Sequence, residues 1–245
     1  MEGPLLRIIT ENLVELKGKK VVSASGNAKI EIEVVEGKKI EDVFCRGKNL
    51  FMKFSDFSIK LHFLMAGSYT LNEEKEGVNP RISLVFEDGM FNFYGGTVKI
   101  ISNNNVEGLY DEEADITSDN WNLEKVLSLA SKKNKKLICD VLLDQNIFAG
   151  VGNIIKNEAL FMAKIHPLSI VGKIPKQKLK ELVLKTRKFS MLFYEAIKKG
   201  KKFGSYFNIY GKEQCSNNKD KVIRQTTGKK KRISFFCPSY QILYA

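Results

Sequence analysis

Apolar residues recur along the chain with two different spacings, and these spacings predict two kinds of structure. Residues 4–16 carry apolar side chains every three or four positions, as on one face of a helix. Pro4 suits the first turn of that helix, and Gly18 follows its end. Between Val21 and Phe86 the apolar residues alternate with polar ones or form short runs, which indicates strands. We therefore expect an N-terminal helix that leads into a β-rich region.

The strand pattern is clearest in four segments of the first half of the chain. They are Lys29–Val35, Asn49–Phe54, Ser58–Phe63 and Arg81–Phe86. Ser55-Asp56 separates two of these segments, and Glu87-Asp88-Gly89 follows the last, so both stretches predict hairpin turns. Together the segments predict an antiparallel β-sandwich.

Helical spacing returns after a polar, acidic stretch at residues 103–120, which we interpret as the connection between two domains. Four acids cluster there, and their near-consecutive spacing favours a solvated linker over a metal site: Asp111, Glu112, Glu113 and Asp115. The helices predicted beyond it are Leu123–Leu129, Leu137–Leu143 and Lys176–Lys199. The second half of the chain is thus predicted to be a helical domain.

A glycine turn at residues 150–152 is the strongest local feature of that domain. Apolar residues at helical spacing in 142–148 precede it, and Asn153 follows at an N-cap-like position that opens a second helix. Backbone N–H groups at such a turn attract anions, and a DNA phosphate is a plausible one. Taken alone, the segment fits an ordinary helix-packing unit equally well.

The composition adds a strong positive charge. The chain has 40 lysines and arginines against 28 acids among 245 residues, a formal net charge of +12. Residues 201–245 hold ten of these bases against Glu213 and Asp220, a balance of +8. Charge concentrated in this way is typical of a surface that binds a phosphate backbone.

Other sequence features indicate the cellular compartment in which the protein is expected. There is no run of about 18 apolar residues that would predict a membrane span. The first residues lack the basic-then-apolar layout of a signal peptide. We therefore expect a cytoplasmic or nucleoid-associated protein with no membrane partner, whose four cysteines are reduced.

One run of sequence resembles a known family. Residues 142–168, LLDQNIFAGVGNIIKNEALFMAKIHPL, are similar to the helix–two-turn–helix of the formamidopyrimidine-DNA glycosylase and endonuclease VIII family of base-excision repair enzymes. The resemblance implies that Asn153, together with the turn of Gly150 and Gly152, contacts a phosphate of damaged DNA.

The N-terminus resembles the same family and departs from it at one position. Glu2-Gly3-Pro4 matches a motif in which the amine of a preceding proline attacks C1′ of the damaged nucleotide and the glutamate transfers protons. Met1 stands in the place of that proline, and its primary amine, with an ordinary pKa of about 7.7–8.0, can also form a Schiff base. The resemblance thus implies catalytic roles for Met1 and Glu2. Without it, Glu2 is better interpreted as a helix-capping acid.

Further matches lie in the predicted sandwich. Arg46-Gly47-Lys48 resembles a family motif whose lysine contacts the phosphate of the flipped nucleotide and aids catalysis, although a lone lysine there is usually solvated. The segment 61–68 resembles one that inserts a methionine, here Met65, into the space left by the extruded base. A core methionine is the alternative for Met65. The sequence departs from the family at two places. Leu5 stands where a second glutamate is frequent, and residues 91–96 match poorly the loop with which many members read the base opposite the lesion, a loop that the endonuclease VIII branch also lacks.

The C-terminal segment resembles the family's zinc finger with half of its ligands replaced. Cys215 and Cys237 stand at the first position of each Cys-x-x-Cys pair, while Asn218 and Tyr240 stand at the second. Two thiolates make a poor structural zinc site, so we predict a finger without zinc. Residual metal binding or a disulfide is the alternative.

Two further expectations concern this finger. It should be held by the packing of three side chains, namely Ile223, Phe235 and Phe236. Arg232 aligns with the family's finger arginine and is implied to grip the phosphates that flank the lesion, a role for which its planar fork is suited. Its alternative is an unspecific, solvated member of a basic run.

These observations lead to one functional hypothesis. The fold class is α+β, with a catalytic β-sandwich domain at 1–115, a helical helix–two-turn–helix domain at 116–200 and a finger-like β-hairpin at 201–245. The resemblance implies a monomeric DNA glycosylase with AP lyase activity, without a cofactor, that removes oxidised bases from double-stranded DNA with damaged bases or abasic sites. A relative that binds damaged or abasic DNA without catalysis, or a monofunctional enzyme, is the alternative.

Overall fold

The computed structural model describes residues 1–109, 111–217 and 219–245. The chain forms two compact units. One comprises Met1 and Leu5–Tyr110, and the other comprises Glu2–Pro4 and Asp111–Ala245. No helix among the described residues is both long enough and apolar enough to cross a membrane.

The first part of the chain folds into a β-sandwich preceded by a helix. Its elements are α1 (Gly3–Asn12), β1 (Ser23–Ser25), β2 (Asp42–Arg46), β3 (Asn49–Lys53), β4 (Phe57–His62), β5 (Ser68–Leu71), β6 (Ile82–Phe86), β7 (Gly89–Tyr94), β8 (Thr97–Ser102) and α2 (Asn103–Leu109). In the described part of the chain the strands form two antiparallel sheets, ordered β1-β6-β7-β5 and β2-β3-β4-β8. The predicted α+β class and antiparallel sandwich are confirmed.

Alternating residues of the strands build the core of this unit. Leu50 and Met52 of β3 belong to the same buried cluster as Phe91 and Phe93 of β7. Because successive side chains of a strand point to opposite faces, residues two apart share the buried face. The hairpins predicted around Ser55-Asp56 and at Gly89 are present as β3–β4 and β6–β7.

The strand predicted at Lys29–Val35 is wrong. The segment contains a short 3₁₀ turn, Ile32–Val35, whose first and last residues are buried in the core. Val34, between them, is 36% exposed. Burial here follows the three-residue spacing of a helical turn, which the alternating sequence pattern does not reveal.

The second unit is mainly helical. Its elements are α3 (Leu123–Ser131), α4 (Ile138–Val141), α5 (Asn153–Met162), α6 (Lys176–Lys198), β9 (Ile223–Thr227) and β10 (Arg232–Phe236). Strands β9 and β10 pair antiparallel as the predicted C-terminal hairpin. The core includes Phe148 before α5, Leu160 of α5 and Phe189 of α6.

The stretch 103–120 is more ordered than a solvated linker. It holds α2 and a 3₁₀ turn, Glu112–Ala114. Asp115 is buried, and its carboxylate accepts hydrogen bonds from the backbone N–H and the hydroxyl of Thr117. The prediction of a solvated acidic linker is therefore wrong for Asp115, which the composition of the stretch could not distinguish from its neighbours.

The helix predicted through Leu142–Phe148 is also wrong. Helix α4 ends at Val141, and consecutive turns follow up to the start of α5. The side chain of Gln145 stabilises these turns by donating to the carbonyl of Val151 and accepting from the N–H of Gly150. Apolar residues spaced like those of a helix are thus buried by turns.

Candidate active site

A buried carboxylate occupies the N-terminus of α5. Glu2 is 9% exposed, and its carboxylate oxygens accept from the backbone N–H of Gly152 at 3.2 Å, Ile154 at 2.7 Å and Ile155 at 3.2 Å. These are the N–H groups that a helix leaves without internal partners. The positive end of the helix dipole further favours a negative charge there. The arrangement fixes the position of the Glu2 carboxylate within the second unit.

The glycine turn is shaped by this contact. A Cβ on Gly152 would lie 2.4 Å from the Cγ and Cδ atoms of Glu2, so only glycine leaves room for that side chain. The N–H of Gly3 donates to the carbonyl of Gly150 at 2.8 Å, and Gly150 has φ = 89°, a conformation that favours glycine. The anion at this turn is therefore the protein's own carboxylate. A phosphate contact by Gly150 or Gly152 stays a prediction.

Asn153 differs from the expected N-cap. Gly152 is the capping residue, and Asn153 is the first residue of α5. The Asn153 side-chain amide donates to the carbonyl of Ile233 in β10 at 3.0 Å. Its side-chain oxygen is buried and has no hydrogen-bond partner among the described residues. The residue lies beside the hairpin, and its phosphate contact stays a prediction.

Arg232 begins β10, and its side chain is exposed. The turn before it is held by Asp140 of α4, whose carboxylate accepts from the backbone N–H of Lys229 at 2.9 Å and of Lys230 at 3.3 Å. A Cβ on Gly228 would lie 2.3 Å from the same carboxylate. This anchoring sets where the hairpin presents Arg232, and no local pattern marks Asp140 for such a role.

The N-terminal amine of the chain belongs to the first unit. The N-terminal amine of Met1 donates to the carbonyl of Leu64 at 2.7 Å. Leu64 has φ = 51°, an unfavourable conformation for leucine, in the loop after β4. The next residue, Met65, is 84% exposed, which excludes the alternative of a core methionine.

The pKa of His62 is affected by several positive charges, including that of the amine. Its pKa is held below the ordinary value first by burial, and then by the positive charges of the N-terminal amine, Lys48 and Lys60. Its Nδ1 atom is buried without a hydrogen-bond partner within the described residues. Lys48 lies half-buried between β2 and β3. The amine and Lys48 thus share the surroundings of one histidine.

The finger cysteines lie in a small apolar core. Cys215 and Cys237 are buried with Phe161, Ile209 and Val222. The ring of Tyr240, which stands at one missing ligand position, packs on Phe161 with centroids 4.8 Å apart. Of the packing residues that were predicted, Phe235 borders this core and Phe236 packs edge-on against His166.

The donors around these cysteines do not fit a structural zinc ion. Asn218, at the other missing ligand position, lies outside the described residues. Within the described ranges no group of three or more His, Cys, Asp or Glu side chains could hold a metal. A structural zinc site takes four such ligands. The zinc-free finger stays a prediction.

Residues 114–207 match the family model of the formamidopyrimidine-DNA glycosylase H2TH domain. The chain is similar to Endonuclease 8-like 3 of Mus musculus, with 34% identity over 203 residues that cover 80% of this chain and 33% of that protein. It is 27% identical to Endonuclease 8-like 3 of Homo sapiens, over 98% of this chain and 41% of that protein. The chain spans about a third to two fifths of the length of these relatives.

Bacterial relatives and solved structures match over nearly their whole length. Formamidopyrimidine-DNA glycosylase of Lactobacillus johnsonii is 29% identical over 87% of this chain and 85% of that protein. A crystal structure of a viral DNA glycosylase superposes with a TM-score of 0.87 at 24% identity, covering 99% of this chain and 100% of that one. The Lactococcus lactis formamidopyrimidine-DNA glycosylase bound to abasic-site DNA has a TM-score of 0.84, also at 24% identity, and covers 98% and 99% of the two chains. At this identity the structures establish the shared fold.

Proposed function

The chain belongs to the formamidopyrimidine-DNA glycosylase and endonuclease VIII family, and on that premise we propose that it is a base-excision repair DNA glycosylase with AP lyase activity. Its substrate is double-stranded DNA that contains oxidised bases or abasic sites. The observation that carries the proposal is the Glu2 carboxylate, which three backbone N–H groups hold one residue after the chain's amine. An acid that follows the amine by one residue along the chain suits Schiff-base chemistry on a sugar, which needs a nucleophilic amine and a proton-transfer group.

The proposed reaction begins with attack of the neutral Met1 amine on C1′ of a flipped nucleotide. The bond from C1′ to the base breaks, and the base leaves with one of the two protons of the attacking amine. The sugar ring then opens as the Glu2 carboxylate takes the second amine proton and passes it to the ring oxygen, which leaves an imine. The resulting imine acidifies the C2′ proton, whose removal expels the 3′ phosphate by elimination. Hydrolysis of the imine then releases the amine.

Two positively charged side chains are suited to bind the phosphates on either side of the reacting sugar. The positive charges of Lys48 and of the amine both act on His62, and the Lys48 ammonium suits the phosphate of the flipped nucleotide. Arg232 on the hairpin supplies an exposed planar donor for the neighbouring phosphates. We expect the protein to act as a monomer and without a metal.

The experiment that tests the function is strand nicking at a single defined lesion. Duplexes that carry one oxidised base or one abasic site are incubated with the protein, and the products are resolved on a denaturing gel. We expect nicking at the lesion with an elimination product at the 3′ side. Tight binding without nicking or base release would overturn the proposal in favour of the binding-only alternative, which the replacement of the family's proline by Met1 favours.

Met65 gives a prediction on base flipping. Met65→Ala is expected to slow excision of an oxidised base about tenfold, because unstacking a base costs a few kcal/mol that an inserted apolar side chain partly restores. Nicking of a site that is already abasic should change much less, since no base has to be extruded. Single-turnover rates on the two duplexes check this.

The matched control is Val78→Ala, another exposed apolar residue of the first unit, at 50% exposure. It should leave both rates unchanged. Equal slowing of both substrates by Met65→Ala would contradict a role in base extrusion.

A further inference from the structure

Lys156 is a charged residue in a wholly buried position. It lies one turn after Asn153 in α5 and is 0% exposed. Its ammonium donates to the Ser234 hydroxyl at 2.9 Å and to the Ile233 carbonyl at 3.2 Å, both in β10. Lysine is almost never fully buried without an ionic partner, and here the hydrogen bonds go to uncharged oxygens. The residue sits directly under the strand that begins with Arg232.

The packing of β10 does not depend on this ammonium alone. The Ile233 carbonyl also accepts from the side-chain amide of Asn153, at 3.0 Å, and the N–H of Phe235 donates to Asn157 at 2.9 Å. The Ser234 hydroxyl lies 2.5 Å from the Thr227 hydroxyl across the hairpin. With an uncharged side chain at position 156, the Ile233 carbonyl would still be hydrogen-bonded to Asn153 and the Ser234 hydroxyl to Thr227. Holding the hairpin therefore does not require a buried charge, which is costly to keep.

Charged and titratable groups surround Lys156 on several elements. Burial first, and then the positive charge of Arg232 on β10, lower the pKa of Lys156 to about 8, although Cys139 and Asp140 of α4 and Glu2 oppose the shift. Both carboxylates accept hydrogen bonds from backbone N–H groups, Asp140 in the turn before β10 and Glu2 at the start of α5. Burial raises the pKa of Cys139, so its thiol stays neutral near pH 8. The ammonium is thus poised to lose its proton in the mildly alkaline range.

We propose that Lys156 is a buried cation of the DNA-binding face, and that binding of a backbone phosphate beside Arg232 is coupled to the protonation of Lys156. The inference rests on the proposed function, which places a DNA phosphate at Arg232. A phosphate brings negative charge to a site where two cations repel each other, and so favours the charged form of Lys156. The proton comes from the solvent. By linkage, DNA binds more tightly where Lys156 is protonated.

The test measures binding without chemistry. A duplex with a tetrahydrofuran abasic analogue has no aldehyde and forms no Schiff base, so its fluorescence anisotropy reports affinity alone. At constant ionic strength, we expect the wild-type affinity to fall about tenfold between pH 7 and pH 9.5 as Lys156 loses its proton. Lys156→Met should bind more weakly at pH 7 and lose most of this fall, so that the two curves converge at high pH.

Matched variants separate charge from packing. Lys156→Gln keeps a donor for β10 but not the charge, and should resemble Lys156→Met. Cys139→Ala removes a buried thiol that opposes the lowering of the pKa of Lys156, so the fall in affinity should remain and move to lower pH. Lys188→Met removes an exposed lysine of α6 and should lower affinity equally at every pH. The N-terminal amine is present in all variants, so its own titration cancels in the comparison.

Two results would overturn the inference. One is a Lys156→Met variant that loses affinity by the same factor at every pH, which would indicate packing alone. The other is a Lys156→Met variant whose affinity still falls with pH as much as that of the wild type, which would show that other groups cause the pH dependence. If wild-type protein binds and nicks lesion DNA, either result removes the role of Lys156 and leaves the proposed function intact. If wild-type protein binds neither damaged nor intact duplex, the proposed function fails, and the inference fails with it.

Discussion

Replacing Glu2 by glutamine is expected to slow strand nicking at an abasic site by about 10²- to 10⁴-fold, the range that a positioned proton-transfer group contributes. Glutamine has nearly the same shape, and its single amide oxygen, placed as Oε2, can still accept hydrogen bonds from the N–H groups of Gly152 and Ile155, while its NH2 group then faces the N–H of Ile154. It cannot give or take the proton at the sugar ring oxygen. Single-turnover nicking of abasic duplex measures the loss.

The same substitution also weakens a structural contact, so folding must be measured beside activity. Two of the three N–H bonds become weaker bonds to a neutral amide oxygen and the third is lost, which we expect to lower the free energy of unfolding by about 1–3 kcal/mol. Affinity for the tetrahydrofuran duplex should stay near that of the wild type, because the proposed phosphate contacts are intact. Wild-type nicking rates in a folded Glu2→Gln protein would contradict the catalytic role and leave Glu2 as a cap of α5.

Adding one methyl group at Gly152 should have an effect of similar size. In Gly152→Ala the new Cβ would lie 2.4 Å from the Cγ and Cδ atoms of Glu2, so the carboxylate has to leave its place at the start of α5. We expect nicking to fall about 10²-fold or more, since the proton-transfer group is displaced. The free energy of unfolding should fall by about 1–3 kcal/mol. Single-turnover nicking and chemical denaturation give the two values.

The control is Gly204→Ala, because no atom lies within 4 Å of a Cβ built there and φ is not in the left-handed region. It should behave as wild type in both assays. The double variant Glu2→Gln, Gly152→Ala should be little slower than either single variant, since both act through one carboxylate. Losses that multiply in the double variant would show that Gly152 acts independently of Glu2.

Much of the fold could be predicted from local patterns. Hairpin β3–β4 and the long helix α6 follow from turn residues and apolar spacing within a few positions. The β9–β10 hairpin was expected from the resemblance to the family's finger. Local patterns fail to predict the secondary structure of segments whose conformation is set by tertiary packing. Ile32 and Val35 are buried by a 3₁₀ turn in spite of their strand-like context. Leu142 and Phe148 are buried by turns in spite of their helical spacing.

The candidate site is less accessible to prediction because its contacts join distant parts of the chain. Glu2 binds N–H groups about 150 positions away, which no periodicity indicates. Resemblance to the family identified Glu2 and the glycine turn separately, whereas their contact is visible only in the structure. The buried Lys156 was missed for a similar reason, since a lysine beside Ile155 in an amphipathic helix is ordinarily solvated. Its burial depends on β10, which lies nearly 80 positions further on.

In the proposed reaction, the amine of Met1 forms a Schiff base with the sugar of damaged DNA. Borohydride reduces such an imine to a stable amine and thereby traps the protein on abasic-site duplex. Mass spectrometry of the crosslinked peptide then identifies the attacking residue. We predict that the sugar remnant lies on the α-amine of Met1. A crosslink on an internal lysine such as Lys48, or no crosslink from protein that binds the duplex, would contradict the claim.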